Sequence, residues 1–291
     1  MDWLTETRIP IGPWSKAAVT WLTTHGGGVF DAISAGLGHA IAAILWCLQT
    51  PTPLAAIAAF TGFVWWYRRS VGVTVFTALG LLLILNQGYW KETTETLALV
   101  LASTAVSMAI GIPIGIAAAR RPWIYTVLRP ILDLMQTIPT FVYLIPALIL
   151  FGLGMVPGLI ATVIFALPAS IRLTRLGIIS TPEALKEAAV AFGATSTQVL
   201  SKVELPCATP QIMAGLTQTI MLSLSMVVIA ALVGANGLGV PVVRALNTVN
   251  IAKGFEAGLC IVVLAIILDR MLRVPGQAPP KRTLSFWKDR L

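Results

Sequence analysis

The chain is short of charge: only 11% of its 291 residues are Asp, Glu, Lys or Arg, under half the roughly 25% usual in a soluble globular domain. With 57% hydrophobic residues, too few polar side chains remain to cover a water-facing surface, so a water-soluble protein is excluded and lipid must do that job. Cysteine and histidine are scarce as well. Cys47, Cys207 and Cys260 sit singly in apolar stretches without CxxC spacing, which excludes a disulfide framework and a thiolate zinc site. His25 and His39 have no acidic or cysteine cluster beside them to complete a metal site. No GxxxxGK[ST] loop, HExxH or GxSxG occurs, so this polypeptide is expected neither to cradle ATP in the usual way nor to be an enzyme. Basic residues outnumber acidic ones by 20 to 12 but form no long run, which points to membrane topology rather than to nucleic acid. The opening MDWLTETRIPIGPW lacks the basic start and continuous apolar run of a secretory signal, so the N-terminal tail is expected to stay on the mature chain.

What the chain does have is long uncharged runs. Residues 70 to 90, 97 to 119, 134 to 171 and 207 to 243 contain no Asp, Glu, Lys or Arg, and a membrane crossing needs about 20 mostly apolar residues. The third run is too long for one crossing. Its GLGMVPG at Gly152 to Gly158 divides it into two helices joined by a tight turn. Further spans at about 51 to 68 and 255 to 273 bring the expected number to seven. Basic residues alternate accordingly: Arg68 and Arg69, then Arg120, Arg121 and Arg129, then Arg172, Arg175, Lys186 and Lys202, then Lys281, Arg282, Lys288 and Arg290 mark one side as cytoplasmic. This places the N-terminus outside and the C-terminus inside. Residues 29 to 48 carry an apolar stripe of Phe30, Ile33, Leu37, Ile41, Ile44, Leu45 and Leu48, which predicts an amphipathic helix on the outer membrane surface; an eighth span is the alternative. Gly234, Gly237 and Gly239 imitate a dinucleotide fingerprint but follow a membrane helix, so they are read as a helix end and turn. Gly111 and Gly115 form a GxxxG that allows close helix approach.

Residues 172 to 206 are the longest polar interruption after the first span. Thr181 is expected to cap a helix beginning at Pro182, and Gly193 to end it in the left-handed conformation. Thr195 or Ser196 would cap a second short helix that Pro206 ends. Within this loop, Glu187-Ala188-Ala189, three residues, Gly193, nine residues, Val203, one residue and Leu205-Pro206 resemble the EAA loop of ABC importer permease subunits. Only Val203 departs from the family pattern, which has Ile there. Four further segments, DLMQTIPTFVYLIP, IFALPASIRLTRLGI, QTIMLSLSMVVIAALVGANGLG and AIILDR, look like the betaine and choline branch of that family.

The resemblance implies an all-α type I ABC importer transmembrane domain over residues 93–274, with the coupling loop at 180–206. It covers about residues 50–273, including two accessory helices at 50–92, and departs most before and after; the periplasmic tail at 1–49 with its interfacial amphipathic helix and the cytoplasmic tail at 275–291 rest on the hydropathy and charge pattern. It implies a homodimer in the bacterial inner membrane, a periplasmic substrate-binding protein, and separate cytoplasmic ATPase subunits that use ATP and Mg and dock on the EAA residues. The cargo would be a quaternary ammonium compatible solute such as glycine betaine, proline betaine or choline. Near absence of charge in the span centres argues against an ion-coupled carrier. Asp133 and Asp269 fall near the expected cytoplasmic ends of spans, where water and Arg129, Arg270 or Arg273 can satisfy them. Polar or aromatic residues left in mid-span make Gln136, Thr140, Phe141, Tyr143, Phe165, Ser223 and Ser225 the pathway candidates, because aromatic faces suit a quaternary ammonium group.

Overall fold

The computed structural model describes residues 10–272, and no strand occurs among them. The tail at 275–291 with its four basic residues, Arg273 and the first nine residues lie outside the described residues. The helices are α1 (Ile11–Gln49), α2 (Pro53–Arg68), α3 (Val71–Asn86), α4 (Trp90–Arg120), α5 (Pro122–Thr137), α6 (Thr140–Phe151) and α7 (Met155–Ile179). They continue as α8 (Glu183–Ala191), α9 (Ser196–Val199), α10 (Leu205–Ala231), α11 (Gly239–Asn247) and α12 (Ile251–Leu272).

Small residues set the centre of the bundle, where α4, α7 and α10 meet. A Cβ on Gly111 would lie 1.9 Å from the Ser170 hydroxyl oxygen, and one on Gly115 would lie 2.8 Å from the Ile171 carbonyl oxygen. The GxxxG face is thus consumed inside the chain, by α7. Gly177 meets Ala208 of α10 in the same way. In lipid no hydrophobic force drives helices together, so such close backbone approach supplies the packing that does. Hydroxyl groups tie the same seam: Ser170 donates to the Ser107 carbonyl at 3.0 Å, and Ser103 to the Ser223 oxygen at 3.2 Å. A second apolar cluster, with Ile84, Val100, Leu224, Leu264 and Ile267 fully or nearly fully buried, joins α3 and α12 to this centre.

All seven predicted runs are helical, but several take a different form. The pair α2 and α3 is 16 residues each, about 24 Å of helix and short of a full crossing; the left-handed Arg69 (φ 48°) turns the chain between them. The span expected from residue 134 is bent by 95° between α5 and α6. Ile138 and Pro139 are extended there (ψ 129° and 131°), since the proline ring pushes the preceding residue out of the helical region. The run 207–243 ends as a long helix at Ala231, turns through Gly234 and Gly237, and resumes as α11. That turn meets the Gly152–Gly154 turn, where Gly154 donates to the Val233 carbonyl at 2.9 Å.

The helix predicted over 29 to 48 starts eighteen residues earlier and runs unbroken from Ile11, long and apolar enough for a crossing. Its contacts include Gln49 donating to Thr94 at 2.8 Å, Gly38 beside Val156 and Phe30 edge-on to Phe151. These partners lie in the first turns of α4 and α7 and at the end of α6. Ile41 is buried with Leu99, Ala102, Leu159 and Val163, so α1 packs along the first halves of α4 and α7.

Candidate functional site: the loop between α7 and α10

The loop leaves α7 through Ser180 and Thr181, and Pro182 occupies the capping position of α8 with an extended ψ of 130°. Thr181, expected to cap, is buried instead with its hydroxyl unpaired; the proline takes its place because its ring fixes φ ahead of the first turn. Glu183 pairs with Lys186 at 2.7 Å, and the carboxylate holds that ammonium above its ordinary pKa. At the other end Gly193 has φ +81°. Gly193 donates to the Val190 carbonyl at 2.9 Å and Ala194 to the Ala189 carbonyl at 3.0 Å, the two bonds that close a helix around a left-handed residue.

Thr195 then caps α9 in a reciprocal pair with Gln198: the Gln198 amide donates to the Thr195 hydroxyl at 3.4 Å, and the Thr195 amide donates to the Gln198 side chain at 2.7 Å. Pro206 does not end this second helix. The chain passes through a widened π turn at Leu200–Glu204 straight into α10, so residues 196–231 form one rod. A proline in the first turn of α10 leaves no bond unmade there, because the widened turn already displaces the ladder.

No residue of α8 is buried. Glu187 and Ala188 are exposed and Ala189 is partly covered, while Val203 and Leu205 are partly covered and Pro206 is exposed. Leu185, Val190 and Phe192 add an uncovered apolar surface, Phe192 being 93% exposed. The loop is nevertheless held. Arg120, the last residue of α4, donates to the Ser196 carbonyl at 2.7 Å and to Glu204 at 3.3 Å, and Glu204 is buried. The sequence reading used Arg120 as a topology marker and did not single out Glu204 or Phe192. The available signal was an acid at a membrane edge, two residues after Lys202.

The pathway candidates divide into groups. Tyr143 and Phe165 meet in one cluster with Leu144, Ala161, Met226 and Val233. Gln136 accepts from Arg172 at 3.2 Å, and the same arginine pairs with Asp133 at 2.6 Å; Asp133 is thus satisfied from α7, not by Arg129 as expected. Thr140 opens α6, Phe141 is exposed beside it, Ser223 is bonded inside the α4–α10 seam, and Ser225 is exposed. Among the described residues no group of His, Cys, Asp or Glu could hold a metal ion.

A lipid-bound helical bundle with a fixed, uncovered helix at one end has the form of a transport permease that takes its energy from elsewhere. Comparison with known proteins agrees. Residues 111–277 match the family model described as "Binding-protein-dependent transport system inner membrane component". The chain is 47% identical over 264 residues to the glycine betaine transport system permease protein OpuAB of Bacillus subtilis, covering 91% of this chain and 93% of that one. It is 41% identical over 288 residues to the glycine betaine/proline betaine transport system permease protein ProW of Escherichia coli, covering 99% and 81%. A solved structure of the MetNI methionine ABC transporter, facing inward, superposes with a TM-score of 0.56 at 25% identity, over 62% of this chain and 92% of that chain. The chain belongs to the binding-protein-dependent transport system inner membrane component family: it is a permease subunit of an ABC-type importer and not itself an enzyme.

Proposed function

We propose that the cargo is a quaternary ammonium compatible solute, with glycine betaine, proline betaine and choline in that class, as the names of relatives suggest. The loop end faces the cytoplasm, where α8 docks into an ATPase subunit that uses ATP and Mg. The opposite end faces a periplasmic binding protein. The observation that carries the coupling role is a helix with nothing buried, anchored to the bundle by the Arg120 clamp on the chain that returns from it. Such a helix gains burial only from a partner and passes the partner's displacement to α4 and α10. Positive charge gathered around it, from Arg120, Arg121, Arg172, Arg175, Lys186 and Lys202, supports the orientation.

A second copy completes the pathway. Gln218 and Ser225 are seven residues apart on α10, so they share a face, and both are exposed. The Ser225 hydroxyl donates to the Met221 carbonyl of its own helix at 3.0 Å, but an uncovered amide such as that of Gln218 is costly against lipid, and a facing copy or a watered channel between copies relieves that cost. The test is to purify the tagged chain from its membrane in mild detergent and weigh the intact assembly. Two copies with two P-loop ATPases are expected, and uptake of glycine betaine in proteoliposomes should require all of them plus the binding protein. Repeated isolation without an ATPase would sink the reading.

A further inference from the structure

At the end of the bundle opposite the coupling loop lies a cavity of about 690 Å³, between the start of α4, the Gly237 turn, α11 and the start of α12. This is within the size range of small-molecule sites, about 300–1,000 Å³. Its α4 wall carries Glu92 and Glu95. Glu95 is 8% exposed and makes no hydrogen bond or ion pair among the described residues. One oxygen of Glu92 is buried without a hydrogen-bond partner. Acids are favoured in the first turn of a helix, which accounts for Glu92. It does not account for Glu95, deeper in the helix and lining the cavity: Lys91, one turn earlier and on the same lining, acts on it by charge but forms no ion pair with it, and a buried carboxylate without a hydrogen bond costs free energy.

Arg244 of α11 and Lys253 of α12 form the facing wall, and Tyr89 lines the cavity beside the acids. Burial, with Glu256 second, pushes the Tyr89 phenol above its ordinary pKa, so it stays neutral and offers a ring face. The cavity is therefore two-signed. A simple cation meets three bases, Lys91, Arg244 and Lys253, a simple anion meets two acids, and a zwitterion finds charge complementary to each of its ends.

We propose that this cavity is a binding station on the permease itself for a zwitterionic ammonium carboxylate: Glu95, Glu92 and the Tyr89 face receive the ammonium group, and Arg244 with Lys253 receives the carboxylate. The assignment rests on the solute class proposed above. It adds a place where this chain, and not only the binding protein, recognises that solute.

The test uses the full permease with its ATPase subunits in lipid nanodiscs, without binding protein, and radiolabelled glycine betaine as the probe. Saturable binding is expected, weakened about tenfold by Glu95→Gln and by Arg244→Gln, the effect of removing one charged partner. If Glu95→Gln fails to fold, Arg244→Gln and Lys253→Gln at the exposed rim carry the test. Absence of saturable binding, while the complex with binding protein imports glycine betaine and the variants keep its uptake KM, would overturn the station and leave the transport reading standing. Failure of the wild-type complex with binding protein to import any quaternary ammonium solute would instead strike the transport reading. Normal glycine betaine binding in variants that lose stimulation by the binding protein would also overturn the proposal, making the cavity a protein-docking surface.

Discussion

The seam between α4 and α7 and the helix α8 are opposites built from the same class of residue. Both are rich in small residues, Gly and Ser in the seam and Ala in α8. In the seam, Gly111 and Gly115 leave room that Ser170, Ile171 and Thr174 fill from within the chain. In α8, Ala184, Ala188 and Ala191 leave room that nothing in the chain fills. Small residues therefore mark close approach in both places, but only burial tells whether the approaching surface is the protein's own or a partner's. Substitutions separate the two: the seam should answer in stability and the loop in transport.

The largest effect is expected at Gly111. With 1.9 Å to the Ser170 hydroxyl and 3.4 Å to the Ile171 backbone nitrogen, Gly111→Leu forces α4 and α7 apart, and overpacking of this kind costs about 1–3 kcal/mol or more. The variant should fail to yield monodisperse protein in detergent; a well-behaved variant of wild-type melting temperature would show that the seam opens freely. Next comes Gly193→Val. No atom lies within 4 Å of its Cβ position, so the penalty is purely backbone, at φ +81°, about 1–2 kcal/mol for an L-residue. Membrane insertion should be unchanged while solute uptake falls, and normal uptake would remove α8 from the coupling role. Arg120→Ala leaves the buried Glu204 without its partner, at about 1–3 kcal/mol, discounted because Arg120 is a third exposed. It should lower uptake several-fold more than it lowers the melting temperature would suggest, and Glu204→Gln in the same chain should add little further loss.

Much of this was legible from residues alone. Uncharged runs gave the helices, and the EAA spacing located the loop, because both are local patterns. The Gly193 cap and the Thr195 capping box were readable for the same reason. The Arg120 clamp was not: its partners are 76 and 84 positions away, and nothing local says which of the many basic residues near that membrane edge will meet Glu204. The 95° bend was half legible, since Pro139 announces a break but not its angle. The fate of Asp133 was misjudged because sequence neighbours were favoured over α7, which packs across it and brings Arg172.

The smallest expected effect decides what Ser223 is for. Read from sequence it is a pathway candidate; in the structure it is buried and accepts a hydrogen bond from Ser103 at 3.2 Å. Ser103 also lies 3.1 Å from the Val100 carbonyl of its own helix, so it keeps an acceptor when Ser223 becomes Ala. Ser223 has no such reserve when Ser103 becomes Ala. Hydrogen bonds between membrane helices average about 0.6 kcal/mol, so Ser103→Ala should lower stability by about that amount and Ser223→Ala by less, with the double variant no worse than Ser103→Ala alone. Thermal unfolding of the four proteins in one detergent measures the cycle, and uptake measures the alternative. A Ser223→Ala chain that melts normally but changes the uptake KM would place this hydroxyl in the path of the solute, against the seam; unchanged uptake with the asymmetric stability loss would give it wholly to the packing of α4 on α10.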